Sequence, residues 1–315
     1  MTGPSIETVG LTKRFGKFTA LDHLDLRLQG GKCVGFLGPN GAGKTTALKM
    51  LTDMIFPTSG ECYVNGISVQ RSRKRALAAA GVLIESPEIY PSLTPTQALE
   101  MVADLRNMSP AERHDRIPAV LAEVKMTEWA DKKVGKFSKG MKQRINIAAA
   151  LVHDPEVLML DEPATGLDPR GMAEVRSIVR DLKKQDRLIF MSSHILQEVT
   201  DVCDEVALIN HGKLLFYDTL TNVTSRFSHA QTTVDAGFGR PLEAREIDDR
   251  IRPLAGLLKV EPLDARRLRL TFQGDPGGQA RLLRQLAGLD LDLVSFQESK
   301  SALEEIYLSQ IERGD

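Results

Sequence analysis

The chain has 315 residues, of which 42% are hydrophobic and 26% are charged. This length allows about two domains of roughly 150 residues and excludes a peptide or a disulfide-stapled miniature scaffold. The formal net charge of -1 gives no sign of a polyanionic partner, so no nucleic acid is expected. Cys33, Cys62 and Cys203 lack metal-ligand spacing and suit a reducing compartment. Neither a signal peptide nor an apolar run of the ~20 residues that span a bilayer is expected.

The first 210 or so residues predict a parallel sheet preceded by antiparallel strands. Apolar and polar residues alternate over residues 8–28, which favours the antiparallel part. Short apolar runs then recur, each followed by a turn and a helical pattern, as in parallel strands with helical crossovers. The runs cover residues 34–37, 82–84, 157–160, 188–191 and 206–209. Ligands of such sheets bind at the carboxyl ends of the strands, so the polar residues there are candidate site residues.

The rest of the pattern predicts two further parts. Residues from about 87 to 150 read as a helical insertion, and His211-Gly212 predicts a tight hairpin turn into residues 213–217. From residue 219 the order strand, helix, strand, strand, helix, strand predicts a ferredoxin-like domain with an added helix. Its predicted strands are 232–236, 257–261, 267–272 and 291–296, its first helix is 242–254, and a turn at 274–278 leads to the second. Ser301 and Glu304 predict a capping box for the final helix.

Residues 38–45 fit the phosphate-binding pattern G-x-x-x-x-G-K-[ST], directly after the run 34–37. The glycines let backbone N–H groups surround a polyphosphate, and a helix beginning near Lys44 adds its dipole. Lys44 can then reach the β- and γ-phosphates, and the Thr45 hydroxyl can bind Mg²⁺. An ordinary Gly-rich turn is disfavoured by the strand before it and the helix after it. The predicted nucleotide site comprises Gly38, Pro39, Asn40, Gly41, Ala42, Gly43, Lys44, Thr45 and Thr46.

Two weaker signals accompany this loop. Asp161 and Glu162 end the run 157–160, where Asp161 can bind Mg²⁺ and Glu162 can polarise an attacking water. Taken alone, this pair is equally well explained as the acidic surface cap of a buried strand. Ser138 predicts the N-cap of a long helix, which by itself is typical of an ordinary core helix.

Together these motifs resemble those of an ATP-binding-cassette (ABC) ATPase, in the order of that family. The matching segments are Walker A at 38–46, the signature at 137–141, Walker B at 157–162, the D-loop at 166–169 and His194 as the switch histidine. The resemblance covers about residues 5–218. It implies an α/β fold, with a P-loop NTPase (RecA-like) core, an antiparallel β subdomain and a helical insertion. The predicted division is an ABC ATPase domain at 1–218 and a small accessory α+β domain at 219–315.

The resemblance also implies a mechanism. Two cassettes of this family meet head to tail, so that Ser138 and Gly140 of one subunit complete the ATP and Mg²⁺ site of the other. It implies that Phe15 stacks on adenine and that His194 contacts the γ-phosphate and orients the catalytic Glu162. Asp168 belongs to the D-loop beside this site. The partners implied are a second cassette, identical or not, and a separate membrane permease that holds the pair at the cytoplasmic face of the cell membrane.

Two residues depart from the common family pattern. Lys139 replaces a glycine of the signature, and Glu85 replaces the Gln that usually binds the metal and relays the nucleotide state. Glu85 thus places a second carboxylate among the candidate metal and nucleotide ligands. The form Leu-Ile-Glu-x-Pro at 83–87 is similar to bacterial exporters of peptide antibiotics and lantibiotics. A non-transport ABC ATPase acting on ribosomes or DNA is the alternative, disfavoured because the chain has one cassette and neither a heptad run nor cysteine clusters.

Overall fold

The computed structural model describes residues 3–85, 88–223, 232–272 and 276–298. The chain forms two compact units, Met1–Asp218 and Thr219–Asp315. The final helix predicted from Ser301 and Glu304 lies outside the described residues.

The first unit contains two sheets, and the predicted fold class is confirmed. A four-stranded sheet has the order β2-β1-β4-β5, and a six-stranded sheet has the order β10-β9-β3-β8-β7-β6. The strands are β1 (Ser5–Phe15), β2 (Phe18–Gln29), β3 (Cys33–Leu37), β4 (Ser59–Val64), β5 (Ile67–Ser68), β6 (Ala80–Leu83), β7 (Val157–Asp161), β8 (Leu188–Ser193), β9 (Glu205–Asn210) and β10 (Lys213–Thr219). In the larger sheet, β3 pairs in parallel with β8 and β9, and β7 pairs in parallel with β6 and β8.

Burial explains why apolar runs of the sequence form the central strands of the six-stranded sheet. Every residue of β3, β7, β8 and β9 is buried, as expected for strands covered on both faces. The hairpin between β9 and β10 turns at His211 and Gly212, whose φ values of 46° and 76° are those of a tight two-residue turn.

Seven helices of the first unit surround these sheets among the described residues. They are α1 (Lys44–Leu51), α2 (Val69–Ala76), α3 (Pro95–Leu105), α4 (Pro110–Glu123), α5 (Lys139–Leu151), α6 (Pro169–Lys183) and α7 (Leu196–Val202), with 3₁₀ turns at Thr127–Trp129 and Val134–Lys136. Thr94 and Ser109 form capping boxes that begin α3 and α4. Leu48 of α1 shares one hydrophobic core with Leu24 of β2 and Phe36 of β3, so α1 joins the two sheets.

The second unit is a four-stranded antiparallel sheet of order β12-β13-β11-β14. Its strands are β11 (Thr232–Phe238), β12 (Leu257–Asp264), β13 (Arg267–Phe272) and β14 (Leu293–Glu298). Its helices are α8 (Ala244–Glu246), which continues as a π-helical turn at Ile247–Ile251, and α9 (Pro276–Ala287). Leu268 and Leu270 are buried while Arg267 and Arg269 point to the other face, as the alternation along β13 predicts.

Several element bounds predicted for the second unit are wrong, and the strands predicted to end at 236, 261 and 296 extend to 238, 264 and 298. The helix predicted over 242–254 covers only 244–251, because Glu243 has extended backbone angles and Pro253 has no N–H with which to continue the helical hydrogen bonds. The last described strand begins at Leu293 rather than 291, because Asp292 has a φ of 53°, which no strand residue adopts.

His153, just after α5, is held neutral in the folded chain. Its Nε2 lies 3.1 Å from the Ala80 carbonyl oxygen, and its Nδ1 is buried with no hydrogen-bond partner among the described residues. Burial and then the Arg106 charge lower the pKa of His153 to about 4, with a smaller contribution from Arg116. The hydrogen bond to Ala80 and the Asp154 carboxylate oppose this shift.

The first unit should therefore lose stability as the pH falls from about 6.5 towards about 4. In that window the unfolded chain takes up a proton at His153 that the folded chain does not, so acid favours unfolding. His153→Gln should show a smaller decrease in melting temperature between pH 7 and pH 5 than the unsubstituted chain. His114→Gln, at an exposed position, is the control. Equal pH dependence in all three proteins would contradict this role of His153.

Candidate functional site

The phosphate loop, residues 38–43, joins β3 to α1 at the carboxyl edge of the six-stranded sheet. Gly41 and Gly43 have φ values of 82° and 106°, a backbone region that residues with a Cβ rarely adopt. A Cβ at Gly38 would lie 2.3 Å from the Ile209 carbonyl oxygen, so this position also needs glycine. No side chain caps the first turn of α1, which begins at Lys44. Its free N–H groups are therefore donors that an anion can accept from.

Lys44 is buried at the centre of this loop. Its side chain is 4% exposed, and its Nζ donates to the carbonyl oxygens of Gly38 at 2.8 Å and Pro39 at 3.0 Å. The same Nζ lies 3.3 Å from Oε1 of Glu162. The loop thus holds a positive charge directly beside the acidic end of β7.

Asp161, the last residue of β7, has an acceptor role at both carboxylate oxygens. Thr45 Oγ1 donates to Oδ2 at 2.8 Å, and Ser192 Oγ donates to Oδ1 at 2.5 Å. The described residues contain no cluster of three or more acidic, histidine or cysteine side chains that could hold a metal. Mg²⁺ in ATPase sites takes one or two protein oxygens and completes its shell with phosphate and water. The oxygens of Thr45 and Asp161 fit such an ion.

Glu162 lies at the meeting point of three elements. Its Oε2 is 3.0 Å from Nδ1 of His194 and accepts a hydrogen bond from Thr165 Oγ1 at 3.0 Å. Its backbone N–H donates to Ser192 Oγ at 2.9 Å. The φ of Glu162 is 45°, a left-handed conformation that non-glycine residues adopt with strain and that is common at functional sites.

The surroundings of Glu162 favour its ionised form. Partial burial raises the pKa of this carboxyl, but the Thr165 hydrogen bond, the Lys44 charge and the electrostatic interaction with His194 outweigh burial and lower the pKa below its usual range. A carboxylate that stays ionised at neutral pH can accept a proton from water.

Glu85 forms an ion pair that the sequence did not predict. Its Oε1 lies 2.5 Å from Nζ of Lys49, one helical turn after Thr45 on α1. Its φ of 60° is again left-handed, and its side chain is 66% exposed. Lys49 therefore compensates the negative charge that Glu85 adds where the common family residue is neutral.

Phe15, at the end of β1, is 52% exposed, with Nζ of Lys13 5.0 Å from its ring centroid. This exposure does not agree with a role of Phe15 in the hydrophobic core. An exposed ring beside a cation is able to stack on a planar base.

The structure does not join the signature and D-loop residues to the phosphate loop by hydrogen bonds within the described chain. Ser138 Oγ instead accepts from the Met141 N–H to cap α5, and Asp168 Oδ1 accepts from the Gly171 N–H to cap α6. Gly140 allows the two helices to approach closely, since a Cβ there would be 3.3 Å from Cα of Gly171. The Lys139 side chain extends to the D-loop, where its Nζ would be only 2.5 Å from a Cβ placed at Gly166.

Sequence reasoning missed three residues that support the site. Ser192 bridges Asp161 and the backbone of Glu162, Thr165 holds the Glu162 carboxylate, and Gln143 of α5 donates to the Pro163 carbonyl oxygen at 2.8 Å. The only sequence signal was the serine pair that precedes His194 at the end of an apolar run.

Known proteins resemble this chain in both sequence and fold. The family model described as ABC transporter matches residues 21–165. The bacitracin transport ATP-binding protein of Bacillus licheniformis is 43% identical over 211 residues, which are 67% of this chain and 68% of that protein. The chain belongs to the ABC transporter family.

Two further similarities extend this result. An uncharacterized ABC transporter ATP-binding protein of Bacillus subtilis is 31% identical over 97% of this chain and 96% of its own length, so both units are matched. The solved structure of the ATP-binding subunit of an ABC transporter is 27% identical, with a TM-score of 0.63, over 70% of this chain and 92% of that chain. The ABC cassette is thus an ATP-binding subunit with ATPase activity, and the relatives favour transport over the ribosome or DNA alternative.

None of the helices described for this ABC subunit has both the length and the apolar character that crossing a bilayer requires.

Proposed function

We propose that the chain is the ATP-hydrolysing subunit of an exporter, which it powers through a separate permease at the cytoplasmic face of the cell membrane. This proposal rests on the Glu162 carboxylate, which lies 3.3 Å from Nζ of Lys44 and 3.0 Å from Nδ1 of His194. The loop 38–46 binds the ATP phosphates, with Lys44 turning from its carbonyl partners towards the β- and γ-phosphates. The exposed ring of Phe15 stacks on adenine.

Hydrolysis uses the residues at the ends of β7 and β8. Glu162 takes a proton from the attacking water, whose oxygen forms the new bond to the γ-phosphorus as the bond to ADP breaks. His194 donates to the γ-phosphate and holds the Glu162 carboxylate. Thr45, Asp161 and Glu85 are the residues that would hold Mg²⁺, which when bound would neutralise developing phosphate charge.

A second cassette completes the site. Ser138 and Gly140 lie at the amino end of α5, where the signature of one subunit meets the nucleotide of the other, beside Asp168 of the D-loop. Within one chain, Ser138 caps α5 and Gly140 permits close packing against α6. The positive, N-terminal end of the α5 dipole can then attract phosphate that the other subunit of the dimer binds. The partner is a second copy or a sister ABC ATPase.

We expect the cargo to be an antibiotic-like molecule. Among the relatives, one is named for bacitracin transport, one for linearmycin resistance and one for Nod factor export. The Glu85 form of the loop after β6 supports the same class.

Affinity purification tests this proposal. Tagged Glu162→Gln chain, purified from host membranes with ATP and Mg²⁺, should retain a polytopic membrane protein, and the Lys44→Ala chain, which cannot hold ATP, should retain less of it. Recovery of ribosomal or DNA-bound proteins instead, from the soluble fraction, would contradict the exporter role.

Neutralising Lys49 should change the metal dependence of this site. Lys49→Met leaves Glu85 uncompensated, which favours the cation and disfavours anionic ATP. We expect the Mg²⁺ concentration for half-maximal ATPase activity to fall, and metal-free ATP to bind more weakly, each by about two- to fivefold as for an exposed pair. The double variant Lys49→Met/Glu85→Gln should return close to the unsubstituted values. Unaltered ATP binding and Mg²⁺ dependence in Lys49→Met would contradict this compensation.

A further inference from the structure

The side chain of Glu198, one turn after His194, is buried and has no part in the mechanism above. It is 1% exposed, and its Oε2 accepts a hydrogen bond from Ser193 Oγ at 2.6 Å. Its Oε1 has no hydrogen-bond partner among the residues that the structure describes. Removing a carboxylate from water is costly in free energy unless it is fully hydrogen-bonded. Packing alone would therefore not favour a glutamate at this position.

Ser193, the residue of β8 that donates this hydrogen bond to Glu198, connects three parts of the site. Its hydroxyl accepts from the Ile195 N–H at 2.9 Å while donating to Glu198. Its carbonyl oxygen accepts from the Gly38 N–H at 3.2 Å, at the first residue of the phosphate loop. Ser193 and Ile195 flank His194, so the contacts of Ser193 define both ends of the turn that carries the imidazole.

The helix that carries Glu198 is itself fixed against the strand that leads into the phosphate loop. A Cβ at Gly35 of β3 would lie 2.5 Å from Cγ1 of Val199, so α7 rests directly on the β3 backbone. The α7 helix has no side-chain N-cap. The Ser193–Glu198 hydrogen bond is therefore a side-chain link between the end of β8 and the first turn of α7.

We propose that Glu198 is a positioning residue for ATP hydrolysis. Acting through Ser193, it holds the turn 193–195 in the conformation that places Nδ1 of His194 3.0 Å from Glu162 Oε2. This inference rests on the proposed role of His194. Among the described residues, the Glu198 side chain is hydrogen-bonded to Ser193 and not to the phosphate loop, so its effect falls on turnover and not on ATP affinity.

Purified full-length variants test this role. Ser193→Ala and Glu198→Ala should each lower kcat roughly 10- to 100-fold, the cost of misplacing a catalytic group, with the Kd for a fluorescent ATP analogue unchanged. Glu198→Gln keeps an acceptor for Ser193 and should retain most of the turnover. The Ser193→Ala/Glu198→Ala double variant should be no slower than the slower single variant.

Two controls separate positioning from stability and from the proposed function. Val202→Ala removes buried packing from the same helix, where it should lower the melting temperature and leave kcat near normal. In a His194→Ala background, Glu198→Ala should have no further effect on kcat.

Three outcomes would overturn the role of Glu198. A kcat loss in Val202→Ala equal to that in Glu198→Ala would assign the effect to stability. The His194→Ala protein could be slow, and Glu198→Ala could slow it further by the same factor as in the unsubstituted protein. This result would contradict the positioning role alone. A His194→Ala protein with normal turnover would contradict the proposed function, and the positioning role with it.

Discussion

Glu162→Gln should lower ATP turnover by roughly 10²–10⁴-fold, the usual contribution of a positioned general base, and leave ATP bound. The amide is nearly the same size as the carboxylate and can still contact Thr165 and Lys44, so the local structure should survive. It cannot accept the proton of the attacking water. Because hydrolysis then stalls, ATP and Mg²⁺ should shift the protein to a dimer, which size-exclusion chromatography detects.

Glu174→Gln is the matched control for this substitution. Glu174 is a partly exposed, ion-paired glutamate of the same unit, 30% exposed against 23% for Glu162, and it lies on α6. Its replacement should leave turnover within a small factor of normal. If Glu162→Gln were equally active, Glu162 would not be the base.

Lys44→Ala should weaken ATP binding severely. Each charge-assisted hydrogen bond to phosphate contributes about 1.5–3 kcal/mol, so the loss of affinity should be on the order of 10- to 100-fold or more. The substitution also removes the positive charge beside Glu162, which helps to lower the pKa of that carboxyl. Titration with a fluorescent ATP analogue measures the affinity directly.

Lys184→Ala controls for loss of a lysine as such. Lys184 is 70% exposed and pairs with Asp181 on the surface, so its replacement should leave ATP affinity unchanged. A melting-temperature measurement on Lys44→Ala shows whether the buried site remains folded. Normal ATP affinity in a folded Lys44→Ala protein would refute the role of the phosphate loop.

Local patterns predicted the parallel sheet and the phosphate loop, whereas the roles of Glu162 and His194 came from the resemblance to ABC ATPases. Residues 38–45 and the pair Asp161 and Glu162 each follow an apolar run, and parallel strands bring their carboxyl ends to one edge of a sheet. Residues far apart in the chain were therefore expected to meet. The structure places Lys44, Glu162 and His194 together at that edge.

The helix predicted over 242–254 shows where local pattern was insufficient. The prediction extended across Pro253, but proline has no N–H to donate to the helical hydrogen bonds, and the helix ends at Ile251. Likewise Glu85 could be recognised as unusual from its position, whereas its ion-pair partner on α1 could not, since 36 residues separate the two.

The sequence by itself determined the order of the buried parallel strands of this ABC subunit and which residue types stand at their ends, because these depend on short-range periodicity and on glycine and proline. It did not predict β4, β5 or α2. Only the tertiary structure decided how those residues are held. The hydrogen bonds of Ser192 to Asp161 and of Ser193 to Glu198, and the pairing of Lys49 with Glu85, require side-chain orientations that follow from packing. A hydrogen bond forms only within about 3 Å and near-linear geometry, and no linear pattern specifies such distances.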